Sequence, residues 1–267
     1  MPRDLAREIG LVAAAMIAYF VVRNLTVGGA EEAFANAERI VDFEEWGHLG
    51  WEDRVQAAIV GSDLLVMLAN WIYIWGHWPV ILSTAIVLYF YRPGRYYLLR
   101  NALFVSGTIG FVFFALFPVA PPRLLDLGLV DTVTEQSQAY RALQPPGLTN
   151  QFAAFPSLHV GWNVVVGIVL LTTTAHVAVR IFAVASPVAM GFAVIATANH
   201  FVVDVAAGIV VVLVGLAAAY AIERKRGVAT LGDSGSHPAR LEPFRRRAAS
   251  VSGRAPRRQP PRRPAGG

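Results

Sequence analysis

The sequence predicts an all-α polytopic membrane protein, a helical bundle of about six transmembrane helices with a disordered basic C-terminal tail. Three observations support this fold class. Hydrophobic residues make up 55% of the 267 residues and charged residues only 15%, whereas soluble domains carry about 25% charged residues. Apolar runs of span length recur along the chain, and positive charge collects at its C-terminal end. The composition therefore excludes an ordinary soluble globular domain.

The apolar runs define the expected spans. A helix needs about 20 mostly apolar residues to cross a bilayer. The stretch 57–91 is too long for one span, so we expect an interfacial helix over about 55–70 that leads into a span. The six predicted spans are 9–25, 72–91, 101–118, 159–175, 180–198 and 201–222.

The distribution of Lys and Arg predicts the orientation, because cytoplasmic loops carry an excess of these residues. With the N-terminus inside, the outer segments 26–71 and 119–158 hold only four Arg, and all six Trp lie near the same surface as an aromatic belt. We therefore expect a multi-pass protein of the cell membrane, with cytoplasmic N- and C-termini and an extracytoplasmic active site.

The net positive charge of the protein comes from its C-terminal tail. Residues 224–267 hold twelve of the 23 Lys and Arg but two of the 18 Asp and Glu, so they carry +10 while the rest carries −5. Their Arg, Pro, Gly and Ser residues offer too little apolar surface to fold. We predict a transmembrane domain over 1–222 and a disordered tail over 223–267. The charge indicates contact with anionic membrane lipid and no nucleic-acid partner.

Ionisable residues at membrane depth are costly, so each one is a candidate functional residue. His200 and Asp204 are four residues apart at the outer start of the last span, which puts them on one helical face. The carboxylate can fix the tautomer of the imidazole and leave its other nitrogen as a nucleophile or base. The alternative is a polar pair that only holds two helices together.

Two further groups favour the binding of an anion. Pro156 and Ser157 indicate a helix start, where free backbone N–H groups and the helix dipole attract an anion, and His159 follows in the first turn. Arg123, just outside the third span, offers a planar fork for a phosphate. Alternatively, these are a capped span with a headgroup-level histidine and an arginine that reaches lipid headgroups.

These groups have complementary roles. One arginine can hold phosphate, one helix start can bind an anion, and two histidines, one with a carboxylate partner, can transfer a phosphoryl group through a phosphohistidine. The topology brings them all to the outer ends of three spans. The candidate residues are Arg123, Ser157, His159, His200 and Asp204.

The pattern Pro-Ser-Leu-His at 156–159, followed by His-Phe-Val-Val-Asp-Val-Ala-Ala-Gly at 200–208, resembles the type 2 phosphatidic acid phosphatase superfamily. Within it, the chain is most similar to the inositol-phosphotransferase branch, which includes the fungal inositol phosphorylceramide synthases. The resemblance covers about residues 60–222. It implies that His200 attacks phosphorus, that Asp204 orients it, and that His159 protonates the leaving group while Ser157 helps to hold the phosphate.

The chain departs from the phosphatase pattern at several positions. Leu158 replaces the glycine of PSGH, and Ala193 and Val194 replace the Ser and Arg of the third motif, SRxxxxxH. The first motif, KxxxxxxRP, keeps Arg123 but has Leu116 in place of the lysine. These losses leave fewer phosphate-binding cations and favour the inositol-phosphotransferase branch.

A second group of polar residues indicates a headgroup or acceptor site. Asn70, Tyr73 and His77 have helical spacing near the outer surface, so they can share a face that binds a polar headgroup or an acceptor hydroxyl. An interfacial aromatic belt with polar tips is the alternative.

We therefore expect a metal-independent, cofactor-free membrane enzyme whose substrate is a lipid phosphate ester and whose acceptor is inositol or another alcohol. If water is the acceptor, the protein is a lipid phosphatase that acts on phosphatidic acid or a polyprenyl diphosphate. A non-enzymatic transporter or scaffold is a second alternative. The sequence lacks the internal repeat that many secondary transporters have. The enzyme hypothesis requires Arg123, His159 and His200 to converge on one point.

Overall fold

A computed structural model describes residues 2–25, 29–133 and 151–226. These residues form nine α-helices and no strand. The helices are α1 (Pro2–Leu25), α2 (Ala30–Gly47), α3 (Glu52–Val60), α4 (Asp63–Trp75), α5 (Trp78–Tyr91), α6 (Pro93–Leu116), α7 (Leu158–Leu171), α8 (Val177–Ala196) and α9 (Val202–Lys225). A short 3-10 helix, Pro122–Leu124, follows α6.

The predicted all-α membrane bundle is confirmed. Among the described residues, α6, α8 and α9 are each long and apolar enough to cross a membrane, and α4 with α5 qualifies as one span bent by 44°. The described part of the chain thus contains three spans, or four with the bent pair, against the six expected. Helix α1 covers the first predicted span but is not among those that qualify.

The fourth predicted span, 159–175, is also shorter than expected. Helix α7 has only 14 residues. It ends at Leu171, where the apolar run is followed by threonine residues. The hydroxyl groups of Thr172 and Thr173 bond to the carbonyl of Val169 in the last turn. Such side-chain bonds compete with the backbone ladder and help to end a helix.

The stretch 57–91 differs from the prediction of an interfacial helix over 55–70 and a span over 72–91. The structure has α3 and then the bent pair α4–α5, which breaks at Gly76 and His77. A Cβ atom at Gly76 would collide with the carbonyl oxygen of Ile72, so this tight break requires glycine. The break places His77 at a bend, inside the bundle, where it is 5% exposed.

Helices α6, α7 and α9 form the centre of the bundle. Their shared core is aliphatic and contains Leu99, Val165, Val169 and Val212, each completely buried. Helix α7 approaches α9 closely because Gly208 has no side chain: a Cβ atom there would collide with the carbonyl oxygen of Ser157. This contact fixes the start of α7 against the first turns of α9.

Helix α2 covers one end of this bundle. Its residues Ala33, Ala37 and Ile40 pack against Ala154 and Phe201, which belong to the segments that lead into α7 and α9. Helix α2 therefore lies directly on the two segments that carry the predicted histidines.

The other end of α6 and α9 holds a buried polar group, the Glu8–Glu223 cluster. Glu8 of α1 accepts hydrogen bonds from the hydroxyl of Tyr96 at 2.9 Å and from Nη1 of Arg100 at 2.7 Å. Arg100 also donates to Asn101, whose amide donates to Glu223 of α9. The cluster ties α1, α6 and α9 together.

The predicted tail, 223–267, lies mostly outside the described residues. Its first residues continue α9 to Lys225, so the last helix extends slightly beyond the predicted span at 201–222. The residues after 226 are not among those that the structure describes.

Candidate active site

The turn between α8 and α9 carries His200. The carbonyl oxygen of Val194, in the last turn of α8, accepts the N–H groups of both Asn199 and His200, at 3.0 and 3.1 Å. Ala198 has a φ of 52°, an uncommon left-handed conformation for a residue with a side chain. The chain thus turns sharply out of α8 and presents His200 just before α9 begins.

Two acceptors surround one nitrogen of His200. Its Nδ1 lies 2.8 Å from the carbonyl oxygen of Ala154 and 3.4 Å from Oδ2 of Asp204. Because both neighbours are acceptors, Nδ1 carries the hydrogen and donates it to Ala154, so Nε2 keeps its lone pair. The backbone carbonyl of Ala154 fixes the tautomer at shorter range than the carboxylate does.

His200 lies in the loop between two spans and is 4% exposed. Burial lowers the pKa of His200 to about 4; the hydrogen bond to Ala154 opposes this effect, and the charge of Arg123 adds to it. The imidazole is therefore neutral at pH 7, which is the state that a nucleophile requires.

Asp204 lies in the first turn of α9 and is completely buried. Its Oδ2 accepts the N–H of Phe201 at 2.8 Å and faces Nδ1 of His200. The carboxylate therefore connects the start of α9 to the imidazole, in the contact that the four-residue spacing predicts.

Ser157 precedes α7 and is completely buried. Its N–H donates to the carbonyl oxygen of Asp204 at 2.9 Å, which joins the start of α7 to the first turn of α9. Its side chain does not cap the helix, and its Oγ has no hydrogen-bond partner. The hydroxyl thus stays available beside the residues that hold His200.

Five aromatic rings form a connected cluster next to this turn, with His159 in contact with three of the others. The ring of His159 lies 5.7 Å from that of His200, 4.9 Å from that of Tyr73 and 4.4 Å from that of His77. His77 also stacks on Trp162 of α7, with 5.6 Å between the ring centroids. The two predicted catalytic histidines are therefore neighbours, and the bend between α4 and α5 adds a third histidine.

Arg123 lies in the 3-10 helix and reaches the same turn. Its Nη1 donates to Oδ1 of Asn199 at 2.7 Å, and its Nε lies 3.2 Å from Oδ2 of Asp131. Its backbone N–H bonds to the carbonyl of Ala198. The guanidinium is thus fixed beside Asn199, the residue that precedes His200, and the ring of His200 is in turn the neighbour of His159.

Asn70 has a different environment from Tyr73 and His77. Its amide nitrogen donates to the carbonyl of Thr132, and its Oδ1 accepts the hydroxyl of Thr132 at 3.1 Å. Asn70 is 3% exposed. It connects α4 to the segment after the 3-10 helix, whereas Tyr73 and His77 are in contact with His159.

The departures from the phosphatase pattern have physical counterparts. The side chain of Leu158 packs on Gly110 of α6. A Cβ atom added at Gly110 would lie only 2.8 Å from Cδ1 of Leu158. Ala193 and Val194 are completely buried in an apolar cluster, so neither position offers a phosphate ligand. Leu116 is 74% exposed at the end of α6 and provides no cation.

Among the described residues, three buried side-chain atoms have no hydrogen-bond partner: Nδ1 of His77, Oγ of Ser157 and Oδ1 of Asp204. All three belong to this site. Buried polar groups are ordinarily paired, so unpaired ones require an explanation. No group of three or more His, Cys, Asp or Glu in the described ranges has an arrangement that could hold a metal ion.

The sequence reasoning missed four groups at this site. The carbonyl of Ala154 bonds to the ring of His200, and the side-chain amide of Asn199 bonds to Arg123. Glu44 and Glu52 reach the first turn of α9 from α2 and α3. A carbonyl has no sequence signal, and Asn199 is detectable only as the neighbour of His200. The acidic residues of α2 and α3 look like an ordinary solvated surface.

Comparison with protein families identifies the class. The family model described as the PAP2 superfamily matches residues 38–218, and the chain therefore belongs to this superfamily of phosphatases and phosphotransferases of lipid phosphate esters, which are generally metal-independent. The match includes both histidine motifs and begins within α2. Comparisons with curated proteins and with solved structures give no match.

Proposed function

We propose that this protein transfers a phosphoryl-containing group from a lipid phosphate ester to an alcohol, through a phosphohistidine at His200. One observation carries the proposal: the bond from Nδ1 of His200 to Ala154 leaves a neutral Nε2 as the nucleophile, with the ring of His159 5.7 Å away. These are the nucleophile and the acid that phosphoryl transfer through histidine requires.

The phosphate-binding part of the proposal rests on a difference between two helix starts. At α9, the N–H groups of Phe201, Val202 and Val203 are occupied by the carboxyl groups of Asp204, Glu52 and Glu44. At α7, no side chain caps the first turn, and the unpaired hydroxyl of Ser157 lies beside it. Backbone N–H groups at a helix start bind anions. We therefore assign the phosphate to the start of α7, with Arg123 as its cation.

The reaction then has two steps. In the first, Nε2 of His200 forms a bond to phosphorus, the bond from phosphorus to the leaving oxygen breaks, and His159 gives that oxygen a proton. In the second, His159 takes the proton from the acceptor hydroxyl, whose oxygen attacks phosphorus and breaks the bond to His200. Arg123, Ser157 and the N–H groups of α7 stabilise the charge on the non-bridging oxygens.

The choice of an alcohol, with inositol or a lipid hydroxyl as the candidate, rests on two features. The lysine of the first phosphatase motif is replaced by Leu116, and the serine and arginine of the third motif are replaced by Ala193 and Val194. In addition, Tyr73 and His77 lie against the ring of His159, where an acceptor hydroxyl must give up its proton. His77 has an unpaired Nδ1 that can bind this hydroxyl.

We further propose that the site works at the extracytoplasmic face, with both termini in the cytoplasm. The Arg-rich segments at 3–7, 92–100 and 224–226 then lie inside, and the acidic α2 and α3 lie outside. This arrangement follows the preference of Lys and Arg for cytoplasmic loops.

Two observations weigh against a transporter or scaffold. The predicted cation and both histidines are close together at one end of the bundle. Between this end and the Glu8–Glu223 cluster, the described core of α6, α7 and α9 is mostly aliphatic, and its buried polar residues Ser106 and Asn163 are hydrogen-bonded within the bundle. A lipid phosphatase needs the same residues as the transferase and differs only in the acceptor, so the experiment must separate the two.

The test is a product analysis on the detergent-purified full-length protein. The donors are phosphatidic acid, phosphatidylinositol and a polyprenyl diphosphate, each with and without added inositol. Release of free phosphate that requires His200 would show that water is the acceptor. A new phospho-headgroup product that depends on both His200 and inositol would establish the transferase.

The controls use two histidine variants. His200→Ala should abolish both products, whereas His176→Ala, at an exposed position before α8, should leave them unchanged. With a radiolabelled donor, the wild-type protein should retain label in base and lose it in acid, as expected for a phosphohistidine. Unchanged turnover in His200→Ala would overturn the proposal.

A further inference from the structure

The first turn of α9 is held by an unusual number of carboxyl groups. Asp204 bonds to the N–H of Phe201 within its own helix. In addition, Oε1 of Glu52 accepts the N–H of Val202, and Oε1 of Glu44 accepts the N–H of Val203, both at 2.7 Å. One side chain commonly caps a helix start. Here two further carboxyl groups arrive from distant parts of the chain.

Both glutamates are buried, at 2% exposure for Glu44 and 7% for Glu52. Burial of a carboxyl group is costly unless hydrogen bonds compensate for it. The cap of Asp204 already supplies what a helix start ordinarily needs. The cost of two buried glutamates therefore calls for a function beyond holding α9.

The position of His200 supplies that function. His200 lies directly before the capped residues. Its backbone N–H donates to the carbonyl of Val194, in the last turn of α8. Phe201, which follows it, packs against Ala33 and Ala37 of α2. The backbone of His200 is thus fixed on one side by α8 and on the other by α2 and α3, through the two glutamates.

We infer that Glu44 and Glu52 are positioning residues for His200: through the N–H groups of Val202 and Val203, they hold the turn that aims Nε2 at phosphorus. The inference rests on the proposed function of His200. Misplacement of a nucleophile by about 1 Å can reduce turnover about 100-fold.

The two glutamates also make this position sensitive to pH. Their carboxyl groups interact with each other, and a proton on Glu44 removes the repulsion between two negative charges. Burial, together with Glu52 and the charge of Asp204, raises the pKa of Glu44 to about 8, and the bond from Val203 opposes this effect. The groups that face this pair are Asp204 and, beyond it, His200.

The sign of the effect follows from the raised pKa. The protonated form of Glu44 is favoured in the folded protein, so its contribution to stability is full below the ordinary carboxyl pKa and is lost as pH rises towards 8. Above that pH, Glu44 and Glu52 repel each other and Asp204. The turn loosens, and turnover should fall with a midpoint near pH 8.

The experiment measures kcat and KM for phosphatidic acid, or for the donor that product analysis identifies, from pH 5.5 to 9.5. Glu44→Gln keeps an oxygen for Val203 and has no charge to repel Glu52, so it should retain kcat at pH 7 and lose the decline near pH 8. Glu44→Ala should reduce kcat tenfold or more at every pH with little change in KM. Glu45→Gln, at the exposed neighbouring position of α2, is the matched control and should behave as wild type.

Thermal unfolding of the same variants separates positioning from support of the fold. If the Glu44 variants lower the unfolding temperature but keep the wild-type kcat and pH profile per folded molecule, the glutamates are only structural and the inference is overturned. His200→Ala leaves both glutamates and their N–H partners in place. Activity in that variant would therefore refute the proposed function and not the hydrogen-bond arrangement.

Discussion

The two ends of the central helices bury polar side chains in opposite ways. In the Glu8–Glu223 cluster, each buried acid has cationic or amide partners: Glu8 is bonded to Tyr96 and Arg100, and Glu223 to Asn101. At the histidine end, Ser157, Asp204 and His77 each keep one buried atom without a partner in the described part of the chain. One end is saturated, and the other has unused hydrogen-bonding capacity.

The difference separates structural polar groups from functional ones. A saturated buried network stabilises one arrangement of helices, and removal of one member leaves another unpaired. Unused capacity costs stability and is retained where a ligand or reacting group completes it. Substitution in the saturated cluster should therefore lower stability without loss of turnover, whereas removal of an unpaired group at the histidine end should lower turnover with little loss of stability. The variants below are ordered by the expected loss of turnover.

The largest loss is expected for His200→Ala. Without Nε2 there is no nucleophile, and kcat should fall about 10⁴-fold or more. The unfolding temperature should change little, because the side chain of His200 has one hydrogen bond, to Ala154, and otherwise only approaches Asp204 and the ring of His159. Turnover and thermal unfolding of the purified variant check both parts. A loss smaller than tenfold would contradict the assignment.

The next largest loss is expected for Gly208→Ala. The new methyl group would collide with the carbonyl of Ser157 and push the start of α7 away from α9, which separates the phosphate site from His200. Turnover should fall about 100-fold, with a loss of about 1–3 kcal/mol in the free energy of unfolding. Gly191→Ala, where no atom lies within 4 Å of a new Cβ, is the matched control and should change neither quantity appreciably.

A pair of serine variants sharpens the comparison. Ser157→Ala removes an unpaired hydroxyl, so stability should stay within about 0.5 kcal/mol while turnover falls about 10- to 100-fold. Ser106→Ala removes a hydroxyl that accepts from Trp162 and donates to Ala102. It should cost about 1–3 kcal/mol and leave kcat unchanged. If the two variants changed kcat equally, the distinction between an unpaired functional hydroxyl and a paired structural one would not hold.

The smallest loss of turnover is expected at the Glu8–Glu223 cluster. Arg100→Met leaves Glu8 buried without its cation and should lower the free energy of unfolding by about 3–5 kcal/mol. Turnover per folded molecule should stay the same. The double variant Glu8→Leu/Arg100→Met should recover much of the stability. A selective loss of kcat in either variant would mean that this end takes part in the reaction.

The sequence was sufficient where the signal is local and periodic. Hydropathy predicted the helical membrane bundle. The spacing of His200 and Asp204 predicted their contact, and Pro156 with Ser157 marked the start of α7 at Leu158. Each of these features depends on residues a few positions apart. The expected shared helical face was wrong for His200, because α9 begins at Val202 and the turn before the helix, not the helix itself, brings His200 to Asp204.

Other parts of the site depend on contacts between distant segments. Ala154 contacts His200 across 46 residues, and Glu52 and Glu44 reach α9 across 150 and 159 residues. The break at Gly76 turned a predicted interfacial helix and span into a bent pair and brought His77 against His159. Asn70, predicted with Tyr73 and His77, holds Thr132 instead.

By itself, the sequence determined the class of fold, the two histidines and the carboxylate behind one of them, because periodicity and residue type express these features. The tertiary structure alone decided which nitrogen of His200 is free, which helix start lacks a side-chain cap, and which acidic residues reach the turn beside His200. These features depend on which backbone groups of one segment meet the side chains of another. Packing of the whole chain sets such meetings, and no short stretch of sequence contains them.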